Sequence, residues 1–411
     1  MEYTFNAYYT LIAGTFVLLL GRLLVYKIPF LRNYNIPEPV AGGLVAAILA
    51  YLIYLTFGVS GKFSSELQTG FMLVFFASIG LGANLSKLKE GGFGLFIFLC
   101  CISAFIFIQN LVGMGLAGAI GLDPLMGLIT GSITLTGGHG TAGAWGHILE
   151  TKYGIEGATT LGMASATFGL VIGGLIGGPV AKFLIERHSL ATGRSVREEI
   201  RDDKIPVAPT GEHSTFEFPH KTRLITADNA ISTLAMFAAC LAFGNLMTDL
   251  AKGTSFELPT FVWALLGGVI VRNFLESVLK VTIFDRAIDV FGNASLSLFL
   301  AMALLSLKLW QLVDLAGPLV IILSLQTIVM ALFAAFVTFK IMGSNYDAAV
   351  LAAGHCGFGM GATPTAIANM QAITNMYGPS HKAYLIVPLA GAFFIDLVNV
   401  VVIQTLLKFF G

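Results

Sequence analysis

The chain has 411 residues, in which 23 Lys and Arg balance 23 Asp and Glu, and 56% of it is hydrophobic. Only 11% of residues are charged, against about 25% in an ordinary soluble domain, and mean hydropathy is +0.83. Those figures exclude a soluble globular protein, and the zero net charge argues against a nucleic-acid partner. The cysteines Cys100, Cys101, Cys240 and Cys356 sit in apolar or Gly-rich runs with no zinc-like spacing. They read as small buried hydrophobes, and no cofactor is expected.

In chain order, the first apolar run is 7–26. Only Glu2 is charged before it, while Arg22, Lys27 and Arg32 lie at and after its end. A signal peptide has the opposite flanks, so this is a retained span with its N-terminus outside. Further spans are predicted at 39–57, 67–85, 93–120 and 158–185. Between the last two lies a Gly-rich polar stretch, about 126–150, centred on Leu135-Thr-Gly-Gly-His139-Gly-Thr-Ala-Gly-Ala-Trp145. The segment 186–225 holds close to a third of all charges together with Pro206, Pro209 and Pro219, and reads as a cytoplasmic linker. Spans then follow at 226–250, 258–278, 288–308, 316–340 and 383–408. A second Gly-rich stretch, about 347–375, contains Ala353-Gly-His355-Cys-Gly-Phe-Gly-Met-Gly-Ala-Thr-Pro-Thr365.

Gly at this density disfavours helix. Irregular backbone at membrane depth is tolerated only where protein buries it or where it lines a watery cavity. The halves 1–185 and 226–411 also echo each other at a near-constant separation. Gln109-Asn-Leu-Val matches Gln326-Thr-Ile-Val; Phe75-Phe-Ala-Ser-Ile resembles Phe299-Leu-Ala-Met-Ala; Ala166-Thr-Phe-Gly resembles Gly391-Ala-Phe-Phe. Five spans per half is an odd number, so the second half enters the bilayer from the opposite side. The inner loops then collect Lys27, Arg32, Lys87, Lys89, Lys280, Arg286, Lys340 and Lys382, and the outer loops little beyond Lys62, Lys152 and Lys252. That bias agrees with positive-inside topology, both termini outside. The fold class expected is an all-α integral membrane protein. It has two inverted-topology repeats of five transmembrane helices, each with a re-entrant hairpin, as in secondary transporters.

The chemistry is expected at the hairpins. Helix N-termini and free N–H groups attract carboxylates. Gly137, Gly138, Gly140, Gly359 and Gly361 admit close approach, and Thr136, Thr141, Thr363 and Thr365 supply hydroxyls. Packing of helices through small residues is the competing use of these glycines. His139 and His355 either meet an anion or brace the hairpins. Asp396 lies in mid-span with no basic residue within a turn, so it needs a partner. A sodium ion held with Asn399 and Thr363 suits it, a proton is the alternative, and an ion pair from another helix is the structural one. Gln109, Asn110 and Gln326, with Ser78, either line the site or glue helices together. Arg22, Arg272 and Lys340 read as snorkelling to the interface, with anion pairing the alternative for Arg272.

The run Thr136-Gly-Gly-His139-Gly-Thr141-Ala142 resembles the Gly-Gly-His-Gly signature of the bacterial sodium/glutamate symporter family. Phe76-Ala-Ser-Ile-Gly-Leu-Gly82 resembles that family too, and Gly359-Met-Gly-Ala-Thr-Pro-Thr365, with Asn369-Met370, resembles its second loop motif. The resemblance implies sodium-coupled import of L-glutamate across the inner membrane, a homodimer, and an elevator-like movement of a core against a scaffold. Rivals are a carrier for aspartate or another dicarboxylate, proton coupling, a passive channel, and an intramembrane hydrolase using Ser132, His139 and Asp396. The last lacks a nucleophile-elbow motif, and no enzyme activity is expected.

Overall fold

The computed structural model describes residues 2–33, 36–84, 88–190, 225–254, 258–281, 283–305 and 315–411. Most of the linker therefore lies outside the described residues. Helices occupy all ten predicted spans. In order they are α1 (Ala7–Lys27), a short α2 (Pro29–Asn33), α3 (Glu38–Phe57), α4 (Ser65–Gly82), α5 (Gly92–Ala119), α6 (Pro124–Ile133), α7 (Gly138–Lys152) and α8 (Ala158–Arg187). The second half holds α9 (Ala227–Ala251), α10 (Thr260–Ser277), α11 (Asp285–Leu305), α12 (Ala316–Ile341), α13 (Tyr346–Met360), α14 (Thr363–Tyr377), α15 (His381–Leu389) and α16 (Ile395–Phe410).

Among the described residues eight helices are long and apolar enough to cross a membrane: α1, α3, α4, α5, α8, α9, α11 and α12. The other two predicted spans fall on α10 and on α15–α16, which a π-turn at Ala390–Phe394 divides. Large apolar side chains such as Phe16 on α1, Leu52 on α3 and Ile328 on α12 point outward, as lipid-facing residues do. Among the described residues the one strand pairing is parallel, Glu2–Thr4 with Ser60–Lys62 at two helix ends. Short extended segments side by side satisfy each other's backbone groups there.

Two bundles make up the molecule. Helices α1, α3, α4, α9, α10 and α11 pack chiefly on one another, and α5–α8 pack with α12–α16. The bundles meet where α4, α10 and α11 face α7 and the α15–α16 turn.

The Gly-rich stretches are less irregular than their composition predicts. Residues from Gly138 onward are helical, and α13 stays helical through Met360. The departures from helix are at Gly131, Thr134–Gly137 and Gly361–Ala362. Packing overrides propensity because the glycines let backbones touch. A Cβ on Gly357 would collide with the backbone of Ala366, so α13 and α14 lie against each other as a hairpin only with glycine there.

Candidate functional site

Both breaks have local causes. In α6 a π-turn spans Ile129–Ile133, and Gly131 leaves helical geometry at φ −100°, ψ −134°. The chain then turns, with Gly137 N–H donating to Ser132 O at 2.9 Å, and α7 starts at Gly138 with φ +68°, a conformation that favours glycine. In the second half Gly361 leaves helical geometry at φ −149°, ψ −91°, Ala362 is extended, and α14 opens with Pro364 in its first turn, where a missing N–H costs nothing.

The breaks meet. A Cβ on Gly138 would sit 3.4 Å from Gly361 O. Around this junction is a cavity of about 950 Å³. Thr136, Gly137, Gly138, His139, Gly140 and Thr141 line it from the first break, and Gly361, Thr363 and Thr365 from the second. Asp396 and Ser78 also line it. The opposite wall comes from α4 and α11, through Phe75, Asp285, Asp289, Asn293 and Ser297. Sequence reasoning passed over that wall. Its signal was a polar residue at every fourth position of α11, one face of a helix.

Asp396 follows directly on the π-turn that ends α15, and Thr363 Oγ1 donates to Gly391 O of that turn at 3.4 Å. The second break and the acid are thus one assembly. Among the described residues Asp396 has no ion pair. The Thr365 hydroxyl is buried in the first turn of α14 with no partner among the described residues, which leaves donor capacity at a helix N-terminus.

The two histidines part company. His139 Nε2 lies 3.0 Å from Thr167 Oγ1, whose own proton goes to Met163 O at 2.8 Å, so Nε2 is the donor. His355 lies away from the cavity. Its ring sits among Phe98, Phe105, Phe333 and Phe358, with Nδ1 2.8 Å from Thr338 Oγ1 and Nε2 without a partner among the described residues.

Gln109, Asn110, Gln326, Gly359 and Asn399 also stand behind the cavity wall. Asn110 clasps Ser132, accepting from its N–H at 2.9 Å and donating to its Oγ at 2.7 Å. Asn399 donates to Ser132 O at 3.0 Å. Gln109 donates to Gly359 O at 2.9 Å and accepts from Thr136 Oγ1 at 2.7 Å; Gln326 donates to Gln109 O at 2.7 Å. These amides tie the breaks to α5, α12 and α16. Arg272 does not snorkel: its side chain is 3% exposed and pairs with Glu276 at 2.8 Å and with Asp285.

Membrane-length helices around a polar cavity, built where two interrupted helices touch, define a multi-pass integral membrane protein. Residues 3–379 match the family model described as sodium/glutamate symporter. Relatives of that name are 53% identical in Escherichia coli, over 396 residues and 96% of each chain, and 50% identical in Haemophilus influenzae, over 404 residues and 98% of each. The chain belongs to the sodium/glutamate symporter family.

Proposed function

We propose that this protein is a sodium-coupled symporter that imports L-glutamate across the inner membrane. The observation that carries the reading is the junction itself. Two interrupted helices, far apart in sequence, present Thr hydroxyls and helix starts to one cavity, and Asp396 shares it. The names of the close relatives supply the substrate and the ion.

In this reading the substrate carboxylates meet the N-termini of α7 and α14, with Thr141 and Thr365 donating. Asp396 and Thr363 hold the sodium ion with nearby carbonyls, and Asn399 lies one turn further along α16. An unpaired carboxylate is costly in a membrane, so the site favours the cation-loaded form. Sodium then organises the second break, and glutamate binds a site already shaped, which couples the two affinities. The halves are inverted repeats with the termini outside. The bundle carrying the breaks moves against the α1–α3–α4–α9–α10–α11 scaffold in an elevator-like alternation, within a homodimer. The division into two bundles supports that motion.

The test is uptake of radiolabelled glutamate into proteoliposomes under an imposed sodium gradient, against a proton-gradient control. Uptake indifferent to sodium sinks the coupling. Stronger competition by aspartate or another dicarboxylate sinks the choice of substrate.

A further inference from the structure

The proton of one hydroxyl decides what the first break recognises. Thr136 lines the cavity, and its Oγ1 lies 2.7 Å from Oε1 of Gln109, a wholly buried side chain. The Gln109 Nε2 donates to Gly359 O at 2.9 Å. A carbonyl only accepts, so the carboxamide cannot be turned over: its nitrogen must face Gly359 and its oxygen must face Thr136. The other acceptor within reach of Thr136 is Gly359 O, at 3.5 Å, and it too can only accept. Gly359 lies in the last turn of α13, where carbonyls lack a helical partner and call for a donor. Gln326 holds the backbone of Gln109 in place through its 2.7 Å bond. The single Thr136 proton is therefore committed to the protein, and a lone pair is what Thr136 offers the cavity.

We infer that Gln109 is a positioning residue that sets specificity: it locks Thr136 as an acceptor, so the ligand group meeting Thr136 is positively charged. That group is the α-ammonium of an amino acid or the sodium ion. The inference rests on the transport reading above and gives the cavity a polarity. The unpartnered Thr365 hydroxyl at the start of α14 leaves a donor for a carboxylate at the second break, and at the first break Thr136 itself takes the positive group.

The experiment uses the full chain in proteoliposomes. It measures the KM of glutamate, the Ki of glutarate, which lacks the amino group, and the sodium concentration for half-maximal uptake. Wild type is compared with Thr136→Val, Thr136→Ser and Gln109→Leu. Thr136→Val is expected to raise the glutamate KM about tenfold, as loss of a bond to a charged group does, with glutarate Ki held and Thr136→Ser restoring the glutamate KM. Gln109→Leu releases the Thr136 proton and shifts the same ratio in the same direction; should it not fold, the Thr136 pair decides. A matching rise in the sodium requirement, with the glutarate-to-glutamate ratio held, supports the inference with sodium as the positive group. Equal rises in glutamate KM and glutarate Ki, with sodium unchanged, overturn it. A wild type without sodium-driven glutamate uptake sinks the transport reading itself, and the inference with it.

Discussion

The first and second breaks share Gly, His and Thr, yet they stand on different supports. The first is held by polar side chains: Asn110 and Asn399 on Ser132, and Gln109 on Thr136. The second has its polar ties too, Gln109 on Gly359 O and Asn369 on Gly173 O, but adds close backbone packing, Gly357 on Ala366 and Gly169 on Met360, with an aromatic box around His355. Hydrogen bonds have fixed directions, so the first break presents oriented groups to the cavity. Dense packing has few alternatives, so the second holds a shape into which Thr363 and Asp396 fit. The lesson is that motif symmetry does not carry over to the physical cause of each break.

The comparison is open to attack by mutation, beginning with the largest effect. Asp396→Asn keeps the volume and removes the charge, and sodium-stimulated glutamate uptake should fall to background. Normal uptake with normal sodium dependence would remove Asp396 from the ion site. Gly169→Ala should next test the packing of the second break. Its Cβ would run into Met360 O, at a cost of about 3 kcal/mol, read as a lowered thermal midpoint in detergent. Gly178→Ala, with nothing among the described residues within 4 Å of the new Cβ, is the neutral control.

The histidines sharpen the contrast. His139→Phe should raise the glutamate KM about tenfold through the lost Thr167 bond at the cavity edge. His355→Phe should leave KM within about twofold, because an aromatic ring still fills the box. Equal effects in both variants would erase the distinction. A modest change is expected for Asn399→Ala. It removes one bond to Ser132 O and should cost about 1 kcal/mol of stability, read as a small fall in thermal midpoint. No fall would mean that Asn399 does not brace the first break.

Much of this was legible from residue order, and the failures have physical reasons. Long apolar runs mark their own helices because a bilayer selects for length and hydropathy alone. The glycines of 135–145 and 353–365 marked the breaks but overstated them, since close packing restores helix on either side. Arg272 read as a residue reaching for water. Its carboxylate partners Glu276 and Asp285 lie on the same and the next helix, and only folding brings them to the buried guanidinium. His355 read like His139, because nothing local reveals that Phe98, Phe105 and Phe333 close around it from α5 and α12.

Sequence alone thus determined the membrane class, the ten helical segments, the place of each break and the family. These depend on composition, periodicity and short motifs, which are local. Tertiary structure decided that the breaks touch, that Asp396 shares their cavity, and that Gln109 spans from Thr136 to Gly359. Those facts depend on the contacts and hydrogen-bond directions of residues distant in the chain, and packing alone sets them.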